Sequence, residues 1–466
     1  MTEKFDIAII GAGSAGLTAA DAALRFGLKV ALLEKERIGG DCTWTGCVPS
    51  KALVQVAKVA QHVRTAGDYG VDAGTTKVDM HKVRDYVMQA IEEIYQHETP
   101  EVLQAEGIEV ILGPAQFVDS HTLQIGERKI IAKKIIIATG SSPYVPPIQG
   151  IDEVDYLTNA EIFDNTRLPQ HLLVMGAGPV GCEIGQAYQR LGAEVTLIDE
   201  ALLPSEERQV ANVIAKVFEK EGLNFVPGLV DSASQNGDEI TLKVGKDEIR
   251  GDMLLVATGH KANVDGLNLQ TAGITYSKDG IVVNPHLQTN IKHIYAVGDC
   301  VADNAQFTHL AGWQAFQAVR NASLPGNDPG FSETMPWAIF TDPEIARVGP
   351  TEEEACQQFG DKVQVAHMDL DRVDRAVTKN DLQGYIKILY LNNRRIIGAT
   401  VVAERAGDTI NEFVLAIDRK LKLEDVARSI HVYPTYGGSA QLLMSQSASA
   451  NIISGPAGSV IKALAA

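Results

Sequence analysis

The chain has no apolar run near the roughly 20 residues needed to span a bilayer, no low-complexity tract and no basic cluster. The first absence argues against a membrane-spanning helix. The last argues against nucleic acid as a partner: 41 Lys and Arg face 59 Asp and Glu, a net charge of -18, whereas nucleic acid is held by a basic patch. A basic n-region and a small-residue cleavage site are also missing ahead of the first element, because "FDIAIIGAG" is already strand and turn by residue 13. A cytoplasmic protein without membrane attachment is the expectation. Cysteine is scarce, at five in 466 residues, which excludes a secreted disulfide scaffold. In a reducing compartment, two cysteines close together point to catalysis or metal binding before a structural crosslink.

Glycine-rich turns, by contrast, are present twice in the same context. "FDIAIIGAGSAGLTAADAALRFGLKVALLEKE" reads as strand, turn, helix, strand, with Gly11-x-Gly13-x-x-Gly16 at the turn and Glu34, 34 − 16 = 18 residues on, closing the second strand. Gly11 permits the tight turn, Gly13 lets backbone approach a pyrophosphate, and Gly16 lets helix and strand pack closely. Glu34 would accept hydrogen bonds from an adenosine ribose. "HLLVMGAGPVGCEIGQAYQRLGAEVTLIDE" repeats the pattern with Gly176, Gly178 and Gly181, and Asp199 is again 199 − 181 = 18 residues later. Each unit ends in a similar strand, "IIIATG" with Thr139 and Gly140, and "LLVATG" with Gly259. Two dinucleotide-binding modules are therefore expected, and the length suits about three domains. The strand "IKHIYAVGDC" ends at Gly298-Asp299, an acid placed to contact a polyol. After about residue 334 strands and then helices follow without a phosphate loop, an α+β domain whose apolar load suits a subunit interface.

Between Gly39 and Lys51, "GGDCTWTGCVPSK" sets Cys42 and Cys47 five apart. Structural crosslink, half a metal site and redox-active pair are the three readings. C-x4-C with no second Cys/His cluster is a poor zinc pattern, and no metal site is expected. On a regular helix the two Cα atoms would lie about 8–9 Å apart, beyond the roughly 7 Å a disulfide tolerates. Bonding would require a break in the helix, which Gly46 and Pro49 permit. Cys182, Cys300 and Cys356 read as ordinary small residues, with Cys300 next to Asp299.

Gly39-Gly40-x-Cys42-x4-Cys47-x-Pro49-Ser50-Lys51, with both glycine fingerprints, both "ATG" strands, "AVGD" and "TDPEIARVG", resembles the class I pyridine nucleotide-disulfide oxidoreductases over the whole length. That family includes dihydrolipoamide dehydrogenase, glutathione reductase and mercuric reductase. The resemblance implies an α/β fold with two Rossmann-like dinucleotide-binding domains plus an α+β C-terminal dimerisation domain. It implies FAD at residues 1–148, NAD(P)H at 149–265, a central part completing the FAD site at 266–333, and an interface domain at 334–466. A homodimer with shared active sites follows. By the same resemblance Cys47 is the thiol beside the flavin, Cys42 the interchange thiol that meets substrate, Lys51 and Glu183 an ion pair near the flavin's reactive nitrogen, and Asp299 a ribitol contact. The stretch after the second strand of the second unit reads "IDEALLPS", without the arginines that hold a 2′-phosphate. Asp199 would repel that phosphate, so NADH is expected in preference to NADPH.

The pattern breaks near the C-terminus. Disulfide reductases of the family carry His-Pro-Thr with a Glu five residues after the His. Here "SIHVYPTYGGSAQ" places Tyr433 at the His position and Gly438 at the Glu position. Mercuric reductases resemble the chain in that Tyr, and metal ions need thiolates rather than a proton shuttle. They also carry a C-terminal cysteine pair, where this sequence ends "SGPAGSVIKALAA". A metal ion or another non-classical small-molecule acceptor is the leading expectation. His431, two residues before Tyr433, is the possible substitute base for a dihydrolipoamide dehydrogenase-like or low-molecular-weight disulfide reductase. A low-turnover flavoprotein redox sensor is the third reading. Trp44, where the family commonly has Asn, either covers the disulfide, offers an aromatic wall to a flat acceptor, or simply packs.

Overall fold

The computed structural model describes residues 2–454 and divides into two compact units. The final stretch after Ser454, which lacks a cysteine pair, lies outside the described residues. One unit comprises residues up to Asp199 together with Gly228–Ser332, and the other comprises Glu200–Pro227 and the chain from Glu333.

In the first unit, Thr2–Ile10 is flanked in parallel by Val30–Glu34 and Arg128–Ile137, and Ile294–Ala296 adds in parallel beyond Arg128–Ile137. Ile10 is paired with Ile137, and Ile137 with Ala296. Three strand ends therefore lie side by side and release Gly11–Gly13, Thr139–Gly140 and Gly298–Asp299 at one edge. That edge, outside the carboxyl ends of parallel strands, is where open α/β sheets bind ligands. A second parallel sheet is centred on His171–Met175, between Glu194–Asp199 and Met253–Val256, with Tyr156–Leu157 outermost. It delivers Gly176–Gly178, Asp199 and Gly259 in the same manner. Each glycine fingerprint thus sits at the carboxyl end of the central strand of a set of parallel strands.

The turn residues explain themselves sterically. Gly11 has φ +100, and a Cβ there would sit 2.3 Å from the Ala138 carbonyl oxygen. A Cβ on Gly16 would sit 1.9 Å from the Gly11 oxygen, and one on Gly181 would sit 2.0 Å from the Gly176 oxygen. Beyond the turn, helix Ser14–Arg25 buries Ala15, Gly16, Ala19, Ala20, Ala22 and Ala23. Helix Thr308–Ser323 buries Ala311, Ala315 and Ala318 in the same core. Small residues on both let the helices approach closely.

The second unit is built on a five-stranded antiparallel sheet ordered Pro336–Ile339, Glu344–Val348, Ile396–Ala403, Tyr385–Leu391, Val363–Asp369. Every residue of the two strands Tyr385–Leu391 and Ile396–Ala403 is buried, so both faces are covered. The stretch Glu200–Pro227, with its helix Arg208–Glu221, joins this unit through buried charges. Arg347 Nε lies 3.3 Å from Glu206 Oε2 and Lys387 Nζ lies 2.5 Å from Glu207, with all four side chains under 10% exposed. The Trp337 indole donates to Glu206 Oε1 at 2.5 Å and stacks under Arg347. Among the described residues no helix is long and apolar enough to cross a membrane.

Candidate active site

A cavity of about 800 Å³ opens along the strand edge of the first unit, in the size range of ligand sites. Its lining runs from Glu34, Lys35 and Arg37, past Gly11, Gly13 and Gly40, to Cys42, Asp299 and Thr308. At one end Glu34 Oε2 accepts the Ala12 N–H and Oε1 accepts the Glu36 N–H, both at 2.8 Å. A carboxylate has further lone pairs for ribose hydroxyls. In the middle, Gly13 caps helix Ser14–Arg25 with no side-chain hydrogen bond, which leaves N–H groups for a phosphate. A Cβ on Gly40, which sits at φ +59, would come within 2.6 Å of Gly13 Cα, so the two loops meet only because residue 40 is glycine. At the far end Asp299 Oδ2 accepts the Ser141 hydroxyl at 2.9 Å. Burial pushes the Asp299 carboxyl up, with Ser141 and His260 opposing. This sequence of ribose acid, backbone cradle, polyol acid and thiol pair fits an extended FAD.

The helix break that bonding of the two cysteines would require is present. Helix Gly40–Trp44 ends, Gly46 takes φ −125 and ψ −111, and Cys47 opens helix Cys47–Thr65. Cys42 and Cys47 are unbonded, the dithiol arrangement, and hydrogen-bonded to one another. The Cys42 thiol donates to Cys47, which is lowered to about 6 against the opposing effect of burial, with further help from Thr308 and the Lys51 charge. The same sharing, with burial, drives Cys42 up. Lys51 follows Cys47 by one helical turn and so lies on its face. Lys51 Nζ is 2.7 Å from Glu183 Oε2, supplied by helix Pro179–Leu191, and Glu183 is buried.

In the second fingerprint, Asp199 Oδ2 accepts the Ala177 N–H at 2.8 Å, the counterpart of Glu34 with Ala12. Trp44 donates its indole N–H to the Ile38 carbonyl at 2.7 Å, lies 4.9 Å from the Tyr95 ring and carries the Arg37 guanidinium over its face at 4.1 Å. It is a packed piece of the cavity wall. Cys182 and Cys300 are buried and Cys356 is exposed.

In the second unit, Tyr433 is 76% exposed and its hydroxyl donates to Asp374 Oδ2 at 2.7 Å. His431 Nδ1 lies 3.0 Å from the Ser429 carbonyl oxygen and Nε2 lies 2.6 Å from Glu412 Oε1. Burial alone would lower this imidazole, but the Glu412 and Ser429 contacts hold it above its ordinary range. Among the described residues no group of three or more His, Cys, Asp or Glu is arranged to hold a metal ion.

Four polar residues of these sites were not singled out by sequence reading: Thr308, Ser141, Asp374 and Glu412. Thr308 was the most accessible to it. It opens the helix that follows the Gly298-Asp299 strand, and in a doubly wound sheet such a helix starts at the ligand edge.

The model of the pyridine nucleotide-disulphide oxidoreductases matches residues 5–315, and that of their dimerisation domain matches residues 335–443. Mercuric reductase of Staphylococcus aureus is 33% identical over 440 residues, covering 92% of this chain and 80% of that one. Dihydrolipoyl dehydrogenase of Bacillus subtilis (strain 168) is 30% identical over 442 residues, covering 92% and 95%. The solved Cu(II) complex of HOCl-induced flavoprotein disulfide reductase RclA from Escherichia coli superposes with a TM-score of 0.83 at 28% identity, covering 95% and 99%. With the two fingerprints, the paired thiols and the dimerisation domain in one chain, the protein belongs to the flavin-dependent pyridine nucleotide-disulphide oxidoreductases.

Proposed function

We propose that this protein is an NADH-dependent FAD enzyme that passes electrons through Cys42 and Cys47 to a metal ion, as a homodimer in which the C-terminal unit of one copy completes the site of the other. The observation that carries this reading is the state of the C-terminal side chains. Both His431 nitrogens are engaged, and the position that would carry the family's base holds Tyr433, whose hydroxyl is raised by its hydrogen bond to Asp374. Both His431 nitrogens and the Tyr433 hydroxyl are thus committed to partners within their own unit. Missing a general base costs about 10² to 10⁴ in rate, a loss that falls on organic disulfides and thiols. A metal ion needs thiolate ligands, and Cys47 is tuned toward thiolate. The mercuric reductase relative and the Cu(II) complex of the structural neighbour support the same class of acceptor.

Bound FAD supplies the two-electron relay between nicotinamide and the thiol pair. Glu34, the N–H groups at the head of helix Ser14–Arg25, and Asp299 would hold it. Lys51, paired with Glu183, keeps positive charge beside the Cys47 sulfur. Cys42 is the sulfur that meets the acceptor, and a metal ion bound there would displace its proton.

A second reading is favoured by one specific contact. The His431–Glu412 pair is an imidazole–carboxylate dyad, and the resemblance to dihydrolipoyl dehydrogenase gives it a context. Anaerobic steady-state oxidation of NADH with mercuric ion, cupric ion, lipoamide, glutathione disulfide and a quinone separates the two. The metal ions should turn over at least about 10²-fold faster than lipoamide or glutathione disulfide. Equal or faster turnover of lipoamide would overturn the metal reading, and activity with none would point to a redox sensor.

The choice of nicotinamide has its own test. The Asp199 carboxylate can accept from both ribose hydroxyls of NADH, whereas a 2′-phosphate meets like charge, and 1.4 kcal/mol is already tenfold. We expect kcat/KM for NADH to exceed that for NADPH by at least about tenfold with one acceptor. Equal values would show that Asp199 does not govern the choice.

A further inference from the structure

Thr308 stands out as a side chain aimed at the reacting sulfurs that none of the sequence motifs contains. It is the first residue of helix Thr308–Ser323, a 16-residue helix with no acid in its first turn and no side-chain cap. Its Oγ1 lies 3.2 Å from Cys47 Sγ and within hydrogen-bonding reach of Cys42. The alanine seam between helices Ser14–Arg25 and Thr308–Ser323 fixes where this hydroxyl sits, and Ser14 also reaches Cys42.

The chemistry requires something at that place. Reduction of the pair by NADH breaks the S–S bond, oxidises NADH to NAD⁺ and adds two electrons and one proton to the sulfurs. Cys42 takes the proton as a thiol, and Cys47 is left as a thiolate whose charge balances that of NAD⁺. No solvent proton enters, so the enzyme must stabilise one half-buried thiolate. Lys51 supplies charge, but it is shared with Glu183. A hydroxyl has a single proton to donate and can rotate it from one sulfur to the other.

We propose that Thr308 is a catalytic residue of this centre: its hydroxyl donates to the Cys47 thiolate in the reduced enzyme, assisted by the positive end of the helix it opens. The proposal rests on the redox role of Cys42 and Cys47 given above. In that role Thr308 favours the two-electron-reduced centre. It also keeps Cys42, rather than Cys47, as the protonated and outward-acting sulfur. The direction agrees with the lowering of Cys47, to which Thr308 contributes after Cys42.

The test is a pH titration of the NADH-reduced holoenzyme, following the long-wavelength thiolate–flavin absorbance. Wild type should lose the band on acidification with a midpoint near pH 6, where Cys47 protonates. Thr308→Val, which keeps the shape and removes the donor, should raise that midpoint by about one unit, a tenfold change in the thiolate ratio. Thr308→Ser should restore it to within about 0.3 unit. Should Thr308→Val bind FAD poorly, Thr308→Ala gives the same comparison. An unshifted midpoint in a donor-less variant with full flavin content would overturn the proposal. So would a midpoint in Thr308→Ser as high as in Thr308→Val, since shape rather than the hydroxyl would then matter. Absence of the band from wild type as well would instead strike the redox role of the cysteine pair.

Discussion

Replacing Cys47 by serine removes the thiolate–flavin absorbance of the NADH-reduced enzyme, whereas Cys42→Ser keeps it, and each variant loses more than about 10³-fold in turnover with any acceptor that needs the pair. The asymmetry follows from the site's geometry. Cys47 opens the helix that also carries Lys51 one turn on and is the sulfur 3.2 Å from the Thr308 hydroxyl. Cys42 belongs to the separate short helix Gly40–Trp44 and serves as donor to Cys47. A serine at 42 can still donate a hydrogen bond to Cys47, so the thiolate persists. A serine at 47 leaves only the sulfur whose ionisation is disfavoured. The same tuning sets a pH dependence. Cys47 is lowered on folding to about 6 from the ordinary thiol value near 9. It therefore contributes stability to the reduced fold that is complete above that ordinary value and is lost as pH falls through 6. Equal spectra for the two variants would remove the assignment of roles.

The second large effect is steric. Gly16→Ala should weaken FAD binding by at least about 10²-fold, because its Cβ would lie 1.9 Å from the Gly11 carbonyl oxygen. That oxygen cannot retreat, since Gly11 is itself held at φ +100 against the Ala138 carbonyl. The turn must open, and the N–H groups at the head of the following helix leave their positions. Overpacking of this kind costs about 1–3 kcal/mol in the fold itself, roughly 2–5 °C in Tm. The control is Gly181→Ala, which meets the Gly176 oxygen at 2.0 Å in the second fingerprint. That variant should purify with its flavin and show a KM for NADH raised at least about tenfold. Flavin content by absorbance after denaturation and a KM measurement check the pair. Flavin retained in Gly16→Ala would mean that the first fingerprint does not hold it.

The parts of this molecule legible in its sequence are those where a local rule leaves one solution. Gly11, Gly16, Gly176 and Gly181 are such positions, because any side chain collides with backbone a few residues away. The departure from helix between Cys42 and Cys47 was legible on the condition that the two sulfurs pair, since a five-residue spacing on a regular helix keeps them apart. The C-terminal side chains were legible as residue types and not as contacts. His431 could be read as a spare base, but its partner Glu412 lies 19 residues earlier in sequence and takes up Nε2. Tyr433 meets Asp374 across 59 residues, and Thr308 meets Cys47 across 261. Contacts of that span depend on how helices and strands pack, for which no periodicity or spacing stands proxy. Glu183 was placed beside Lys51 only through family resemblance. Nothing in its own neighbourhood marks it apart from any helix acid.

The buried charges of the second unit bear on how such a protein can be recombined. Glu206 and Glu207 come from the middle of the second nucleotide-binding stretch in sequence, whereas Arg347 and Lys387 come from the C-terminal sheet. Cutting the chain at sequence-module borders would strand two cations in one fragment and two carboxylates in the other. Each broken buried pair costs about 3–5 kcal/mol. A chimera that exchanges the nicotinamide module with a relative therefore inherits mismatched charges unless residues 200–227 travel together with the C-terminal sheet. The heritable unit here is a discontinuous one, and recombination that respects it would cross over near residues 199, 228 and 333.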